Sequence, residues 1–552
     1  MSSERSRRTF GMCGRMGAES NQRVDVMSNL LGGIRSLIDQ PAGALRADAG
    51  AVRWVSSPRT AVSWSPTPLP QNLPQDGFDV AARHDAFSLV VDGLQARLHG
   101  GISGAVPVYV ELDGAPGDGV HFCSRADPLI RTRTRTVRPD WDAWAHILAA
   151  GGPLEGRTTV DGIRRLLPWE RITMDGSGAT TITSEGWPWL DVEISGNAGV
   201  DPVRDALAEA VGQLGALGEV STLLSGGWDS RVLAALGARV TTVPVTAWTT
   251  SSDTGTVLEE LVAAKVAETL GIEHKLVHPR RDQFGQDLDH FVRSVDYQTS
   301  FHVWLVPLAR RLVGTSAAVM DGLGGGLFVG GAFPDDESDV PVLDQRFGRM
   351  ARYLHGAEQI LDPRVVHEIR HRTRESFDSI AKPLVDHPFA STFTAYLTRT
   401  LPGISLAPYG LVSAAAPVAT PFVSDAVVRA ALAIPPAQHA EGQLYPELLR
   451  PWTPELVELP TAAEQTPRIR RHQRRVSSPE AAAHFRELLL TEPVRQLLAR
   501  ELVDADLDTW MRHLDNTRSQ HLIRSLATLA LWLRRYAHVL GDVNVDGLLG
   551  RA

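Results

Sequence analysis

The sequence predicts an α/β protein in two parts: an antiparallel sandwich, then a doubly wound parallel sheet with extra helices at its C-terminal end. Three observations carry this. A buried apolar strand, Val220 to Leu224, runs into Ser225-Gly226-Gly227 and on into a helix. Strand and helix patterns then alternate at a spacing that suits parallel strands joined by crossover helices. Upstream, from Phe87 to Ser124, short strand-like runs are separated by Asp, Gly and Pro turns, as in antiparallel hairpins.

The stretch Leu223-Leu224-Ser225-Gly226-Gly227-Trp228-Asp229-Ser230-Arg231 organises the second part. A strand entering Ser-Gly-Gly and then a helix leaves backbone N–H groups unpaired at a helix N-terminus. Glycine permits close approach and the helix dipole favours an anion, so the loop reads as a phosphate cradle. Ser225 and Ser230 add hydroxyl donors. Asp229 would repel phosphate; its sensible role is to hold Mg2+ bridging the phosphates, a task for hard oxygen ligands. The helix continues through Val232 to Leu236 and is expected to stop at Gly237. The spacing is not the Walker pattern, which needs a longer loop ending Gly-Lys-Ser/Thr.

The 552 residues suggest two domains, and 43% hydrophobic with 22% charged residues is ordinary globular composition. A net charge of -9 argues against a nucleic-acid partner. Two cysteines, Cys13 and Cys123, make neither a disulfide framework nor a zinc site. The basic N-terminus has no apolar signal core and no run of about 18 apolar residues appears, so a cytoplasmic protein with no membrane partner is expected. Residues 1–25, rich in Ser, Arg and Gly, are expected to be disordered; 26–195 form the first domain and 200–552 the second.

Within the first domain, Phe87–Gly93 reads as strand and turn, and Ile102–Val110 as a strand. After a turn at 113–119, Val120–Ser124 reads as the hairpin partner of that strand. Pro202–Leu217 is an amphipathic helix with Val203, Leu207, Val211 and Leu214 inward. Val240–Thr246 reads as a second parallel strand, Asp253–Leu270 as a helix capped by Gly271, and Ile272–Val277 as a third strand. Ligands of such sheets sit at the carboxyl ends of the strands. Helices at 481–498 and 522–540 read as packing elements, and the apolar spacing over 519–535 suggests that this region covers the sheet.

A second glycine loop, Asp321-Gly322-Leu323-Gly324-Gly325-Gly326-Leu327-Phe328-Val329-Gly330-Gly331, follows another strand. The first loop resembles the Ser-Gly-Gly-x-Asp-Ser loop of the ATP-pyrophosphatase superfamily. The second resembles the Ser-Gly-Glu-Gly-Ser-Asp-Glu-x-Phe-Gly-Gly segment of asparagine synthetases. Pro417-Val-Ala-Thr-Pro421-Phe-Val-Ser-Asp425 and Ile434-Pro435 resemble that family's closing segments. From about Phe87 to about Leu459 the chain thus resembles the asparagine synthetase superfamily, which includes β-lactam synthetases and lasso-peptide macrolactam cyclases. Met12-Cys13-Gly14-Arg15-Met16-Gly17 resembles the start of glutamine amidotransferases, and the strands near Gly104-Ala-Val-Pro107 and Val120–Ser124 resemble the later half of their sandwich domain. The amidotransferase nucleophile needs a free α-amine. Eleven residues precede Met12, and the family's Arg-His-Arg-Gly and Asn-Gly-Glu elements are not found. The first domain therefore resembles a degenerate, inactive Ntn-type domain that supports the second.

The resemblance implies ATP and Mg2+ as cofactors. It places Leu224 and Thr246 beside the adenosine, and Ser225, Gly226, Gly227 and Ser230 at the phosphates. Asp229 holds the metal, and Asp321 and Gly322 contact the nucleotide. Asp229, Ser225 and Ser230 are the candidate catalytic residues. Three departures stand out: the family's glutamate falls at Leu323, its second metal-side aspartate at Gly326, and its late lysine has no equivalent near Glu464-Gln465. The basic run Arg468-Ile-Arg470-Arg471-His-Gln-Arg474-Arg475 either supplies charge or is a solvated loop. Asp296, Tyr297 and His302 either line the acceptor pocket or are ordinary core residues. Asp335-Asp-Glu-Ser-Asp339 reads as an exposed loop.

The implied activity is an ATP-dependent amide ligase. It adenylates a small-molecule or peptide carboxylate, releases pyrophosphate and passes the acyl group to an amine, as a macrolactam cyclase or tailoring enzyme does. A precursor peptide and a leader peptidase are the partners such a cyclase would have. Glutamine-hydrolysing asparagine synthesis and a non-catalytic nucleotide- or peptide-binding scaffold are the alternatives. A tRNA-modifying enzyme needs reactive cysteines or a basic face, which the chain lacks.

Overall fold

The computed structural model describes residues 95–111, 120–133, 135–175, 179–315, 318–465 and 471–550, and the backbone of strands at 13–16, 31–33, 51–56, 59–65 and 87–92. The fold is mixed α/β. Among the described residues, sixteen strands in chain order are β1 (Cys13–Met16), β2 (Leu31–Gly33), β3 (Ala51–Ser56), β4 (Arg59–Ser65), β5 (Phe87–Asp92), β6 (Gln95–His99), β7 (Tyr109–Glu111), β8 (Val120–Cys123), β9 (Ile163–Arg165), β10 (Glu170–Met174), β11 (Thr180–Ser184), β12 (Val220–Leu223), β13 (Val245–Thr250), β14 (Glu273–Val277), β15 (Ala318–Met320) and β16 (Val418–Ala419). They form three sheets, ordered β2-β1-β8-β7-β9, β11-β10-β6-β5-β4-β3 and β14-β13-β12-β15-β16. The first two are antiparallel apart from the β1–β2 pair. The third is parallel throughout.

The order of the parallel sheet decides where a ligand can sit. The chain steps outward from β12 to β13 and β14, then returns to place β15 on the other flank of β12. The β12–β15 boundary is therefore a topological switch point, where the loops leaving adjacent strands diverge and open a crevice at their carboxyl ends. The two glycine loops leave β12 and β15. Leu224 N–H bonds Trp248 O, and Asp321 N–H bonds Ala419 O, so each loop starts from an anchored strand end.

Several sequence expectations shift. The helix after the first loop spans Trp228–Val240 and does not stop at Gly237. A Cβ there would sit 3.1 Å from Met320 Cε, so the glycine serves close helix–sheet packing. The second parallel strand is Val245–Thr250, not 240–246, because the preceding helix consumes the residues through Val240. Ile102–Val108 is a buried loop bent by left-handed Gly101 and Gly104, and only Tyr109–Glu111 pairs as a strand. Cys13–Met16 lies in a strand although disorder was expected for 1–25; the rest of that segment lies outside the described residues. Helix Pro479–Leu489 ends earlier than expected. Helix Thr517–Tyr536 does not cover the parallel sheet. It packs in a second core against Trp141–Ala150, with Trp532 and Trp144 at 5.4 Å.

The N-terminal sheets share their core with the rest of the chain. Trp187 and Trp189 pack on one another at a tilt and reach Phe393, Tyr396 and Phe328, the last of which lies in the second glycine loop. Trp189 Nε1 donates to Asp425 Oδ1 at 2.9 Å, and Tyr396 OH donates to Ser103 O at 2.7 Å. Buried Arg165 donates to Leu401 O, Gly104 O and Ala105 O, crossing the same boundary. The Trp189→Ala variant is expected to lose about 3–5 kcal/mol of stability in chemical denaturation, the range for emptying a buried tryptophan site. An unchanged midpoint and slope would show that the seam carries no such load.

Candidate functional site

A cavity of about 390 Å³ opens at the switch point. Leu223, Leu224, Ser225, Asp229 and Ser230 line it from the first loop, and Asp321, Gly322, Leu323, Gly324 and Gly326 from the second. The first loop is held tightly. Ser225 N–H donates to Ser230 Oγ at 3.0 Å, and Gly227 N–H to Ser225 Oγ at 3.2 Å. Gly226 N–H donates to Glu259 Oε2 at 2.6 Å. The expected unpaired amides are thus in part engaged by the protein itself, and a carboxylate from the helix Leu258–Leu270 already sits on one of them. Arg231, fully buried, donates to Leu456 O, Leu459 O and Pro460 O. Ala462 N–H bonds Gly226 O. These bonds fasten the 456–462 segment against the loop.

Asp229 is the meeting point of the two loops. Its carboxylate accepts a short hydrogen bond from Tyr445 OH and another from the Gly326 amide. Tyr445 is fixed in turn by stacking on Trp228, 6.0 Å apart and nearly parallel. The glycines of the second loop make this approach possible. A Cβ on Gly325 would stand 2.4 Å from Asp229 Oδ1, and one on Gly322 2.9 Å from Asp229 Cβ. At Gly324, φ is +89° and a Cβ would meet Val423 Cγ1 at 2.4 Å, so two constraints select glycine. At Gly326, where the family has an aspartate, a Cβ would stand 3.6 Å from Asp229 Oδ2, an ordinary contact, so space does not select glycine at that position.

Desolvation, joined by neighbouring Asp321, raises the Asp229 carboxyl to about 6 in spite of the Tyr445 and Gly326 hydrogen bonds. Burial likewise lifts Asp321 to about 6, opposed by the Leu323 amide that its Oδ1 accepts at 2.8 Å. Two half-buried carboxylates that face the same cavity, beside the first glycine loop, could each offer an oxygen to a cation. Among the described residues no group of three His, Cys, Asp or Glu side chains could hold a metal. An Mg2+ ion would thus have two protein carboxylates, Asp229 and Asp321, and take its remaining ligands from phosphate and water, the usual manner for this ion.

Other predicted residues are sorted by the same geometry. Thr246 lies outside the cavity: its Oγ1 bonds Glu273 at the start of β13, four residues from the ligand end. Trp248, Thr249 and Thr250 take the place expected for it. Asp296 is locked in a buried ion pair with Arg125, and Tyr297 packs on Tyr536; neither reaches the cavity, whereas His302 does. Asp335 pairs with Arg346 and Arg349 in an otherwise exposed acidic loop. Of the basic run, Arg475 forms a buried pair with Asp287, and Arg468 and Arg470 lie outside the described residues. Sequence reasoning missed Tyr445, Glu259 and Arg399. Glu259 lies in the first turn of the helix Leu258–Leu270, which the sequence places from Asp253, and nothing local marks Tyr445 or Arg399.

The asparagine synthase family profile matches residues 202–534, more than half of the chain, with both loops and the cavity inside that span. The chain belongs to the asparagine synthase family. No curated protein matches it. Membership makes it an ATP-dependent amide-bond ligase of the asparagine synthetase type, and the family's use of ATP agrees with a phosphate loop at the switch point. Among the described residues no helix is long and apolar enough to cross a membrane.

A pH prediction follows for this asparagine synthase family member. A carboxyl whose folded pKa is raised costs stability as pH rises through its unfolded value near 4 toward the folded value. The metal-free protein should therefore lose stability between about pH 4 and 6 from this pair. Mg2+ should raise the melting temperature at pH 7.5 and much less at pH 5, where protons compete for the same oxygens. The shift should vanish in Asp229→Asn and Asp321→Asn. Equal Mg2+ shifts in wild type and both variants would place the ion elsewhere.

Proposed function

We propose that the chain adenylates a substrate carboxylate and transfers the acyl group to an amine that does not come from glutamine. The carboxylate oxygen bonds to the α-phosphorus of ATP as the bond to the β-phosphate bridge breaks and pyrophosphate leaves. The amine nitrogen then bonds to the acyl carbon and AMP departs with loss of a proton. The observation that carries this reading is the convergence of both glycine loops on Asp229 at the switch point. Loop amides and the hydroxyls of Ser225 and Ser230 would steady the leaving phosphates, and Leu224 with Trp248 would border the base. Bound Mg2+, held by Asp229 and Asp321, would neutralise charge on the phosphate oxygens. The cavity is within the size range of small-molecule sites, so it suits ATP with the activated end of a substrate rather than an entire peptide.

An amine on the same molecule would give a lactam, as in a macrolactam cyclase or tailoring ligase. If the substrate is a precursor peptide, a leader peptidase is the natural partner activity. Two observations favour a second reading, a nucleotide-binding scaffold: Glu259 occupies the Gly226 amide, and no lysine stands near Glu464 in the sequence.

One measurement separates the two. Adenylation predicts equimolar pyrophosphate and AMP from ATP with a carboxylate acceptor, falling about 100-fold or more in Asp229→Ala. ADP and phosphate as the only products reject adenylation; ATP binding without turnover over a panel of carboxylates and amines supports the scaffold.

A further inference from the structure

The two cysteines of the chain are far apart in sequence and adjacent in the fold. In the antiparallel β1–β8 pair the register sets Cys13 directly opposite Cys123. The same row of the sheet continues from Cys123 to Tyr109 and Arg165, and from Cys13 to Leu31 on the other side. Cys123 is fully buried, in the core that also holds Tyr109, Ala126, Ile130 and Trp144. Among the described residues no cysteine is free, and Cys123 is disulfide-bonded.

The register alone suits a bridge. Directly opposed residues of an antiparallel pair have Cα atoms about 4.5 or about 5.5 Å apart, depending on whether the pair exchanges hydrogen bonds. A disulfide spans Cα separations of about 4.4–6.8 Å, so either kind of pair is within reach. A slip of one residue would send the two side chains to opposite faces, so the pairing is specific to this register. Two cysteines are too few for a disulfide framework, but one bridge needs no more.

The mechanics of the sheet give such a bridge a task. β1 has four residues and β2 three, and β2 joins this sheet through β1 at its edge. Short edge strands contribute few ladder bonds, and a long stretch of chain separates them from β8, so holding them in place costs loop entropy. β8 is well anchored. It leads into Arg125, whose guanidinium pairs with Asp296, and the Ala126 N–H donates to the same carboxylate at 2.8 Å. A bond from β1 to β8 ties the N-terminal strands to one already fastened to the ligase part. It also decides the fate of the Met12-Cys13-Gly14 motif. A nucleophile needs a thiolate, and a sulfur in a disulfide has none to offer.

We propose that Cys13 and Cys123 are joined in one intrachain disulfide, so that the cysteine of the amidotransferase-like motif is a covalent fastener and not a nucleophile. The oxidant is a small-molecule disulfide such as oxidised glutathione. One cysteine thiolate attacks it, forming a mixed disulfide and releasing one glutathione thiolate. The other cysteine thiolate attacks the protein sulfur of that mixed disulfide and releases the second. Two electrons pass from the cysteine pair to glutathione, and the two thiol protons end on the released thiolates. The bridge does not depend on the ligase reading, although it agrees with an amine that does not come from glutamine.

The full chain is equilibrated with oxidised glutathione, unfolded in guanidinium and alkylated with iodoacetamide without reductant. Its intact mass should show no alkyl group and no glutathione, and two alkyl groups when reductant is added first. Trypsin should release residues 9–15 linked to residues 98–125, and reduction should separate them. Cys13→Ala should melt about 5 °C or more below the oxidised wild type. Cys13→Ala with Cys123→Ala should melt no lower than the less stable single variant, because both substitutions remove one shared bond. Two alkyl groups without reductant, retained glutathione, a bridge formed only between two chains, or a Cys13→Ala protein that melts with wild type would each overturn the proposal. Absence of pyrophosphate release from ATP would remove the ligase reading and leave the bridge standing.

Discussion

The close approach of two glycine-rich backbones to one half-buried carboxylate is the constraint on which the site depends. Asp229 can sit between the loops only because Gly322 and Gly325 present no side chain to it. Its charge is tolerable because Tyr445 and the Gly326 amide hydrogen-bond it. Tyr445 is in place because Trp228 offers it a flat face. Trp228 carries Arg231 on its ring, 4.4 Å from the guanidinium, and Arg231 holds the 456–460 carbonyls. One short stretch of sequence therefore fixes the phosphate loop, the second loop and the segment that crosses over them.

Much of this was legible in the chain itself, for identifiable reasons. The strand before Ser225, the helix after Gly227 and the αL cap at Gly271 follow from local chemistry, and the structure has all three. The second loop was legible from its position after another strand, well beyond the first loop, since a glycine run alone is a common turn. What could not be read was the identity of residues that reach the cavity from far away. Tyr445 is 216 residues from Asp229 in sequence. Thr246 was misplaced because a one-turn error in a helix end slid the following strand. Asp296 and Tyr297, open in the sequence between an acceptor pocket and the ordinary core, could not be sorted in one dimension. In three, Asp296 is neutralised by Arg125 and accepts the Ala126 amide.

The N-terminal sheets bear on the site without lining this cavity. Through Trp187 and Trp189 they press on Phe328 and Tyr396, which belong to the second loop and to the segment carrying Arg399. Arg165 and Tyr396 tie the same elements together by hydrogen bonds. A region whose motif resembles an amidotransferase thus acts in this structure as a buttress, and its packing surface is continuous with the ligase core.

The segment from Tyr396 to Val412 is wound largely as π-helix, over Tyr396–Ile404 and Ala407–Val412, and supplies Arg399, Thr400, Ile404, Ala407 and Pro408 to the cavity wall. Such wider turns are uncommon and tend to occur where a side chain must be aimed. Relative to an α-helix they hold surplus residues, each of which rotates everything beyond it by about 100°. A deletion of one residue here would tighten the coil without unthreading the fold and would swing a different set of side chains inward. A change of chain length in this segment would thus exchange the lining of the cavity and leave the two glycine loops unchanged.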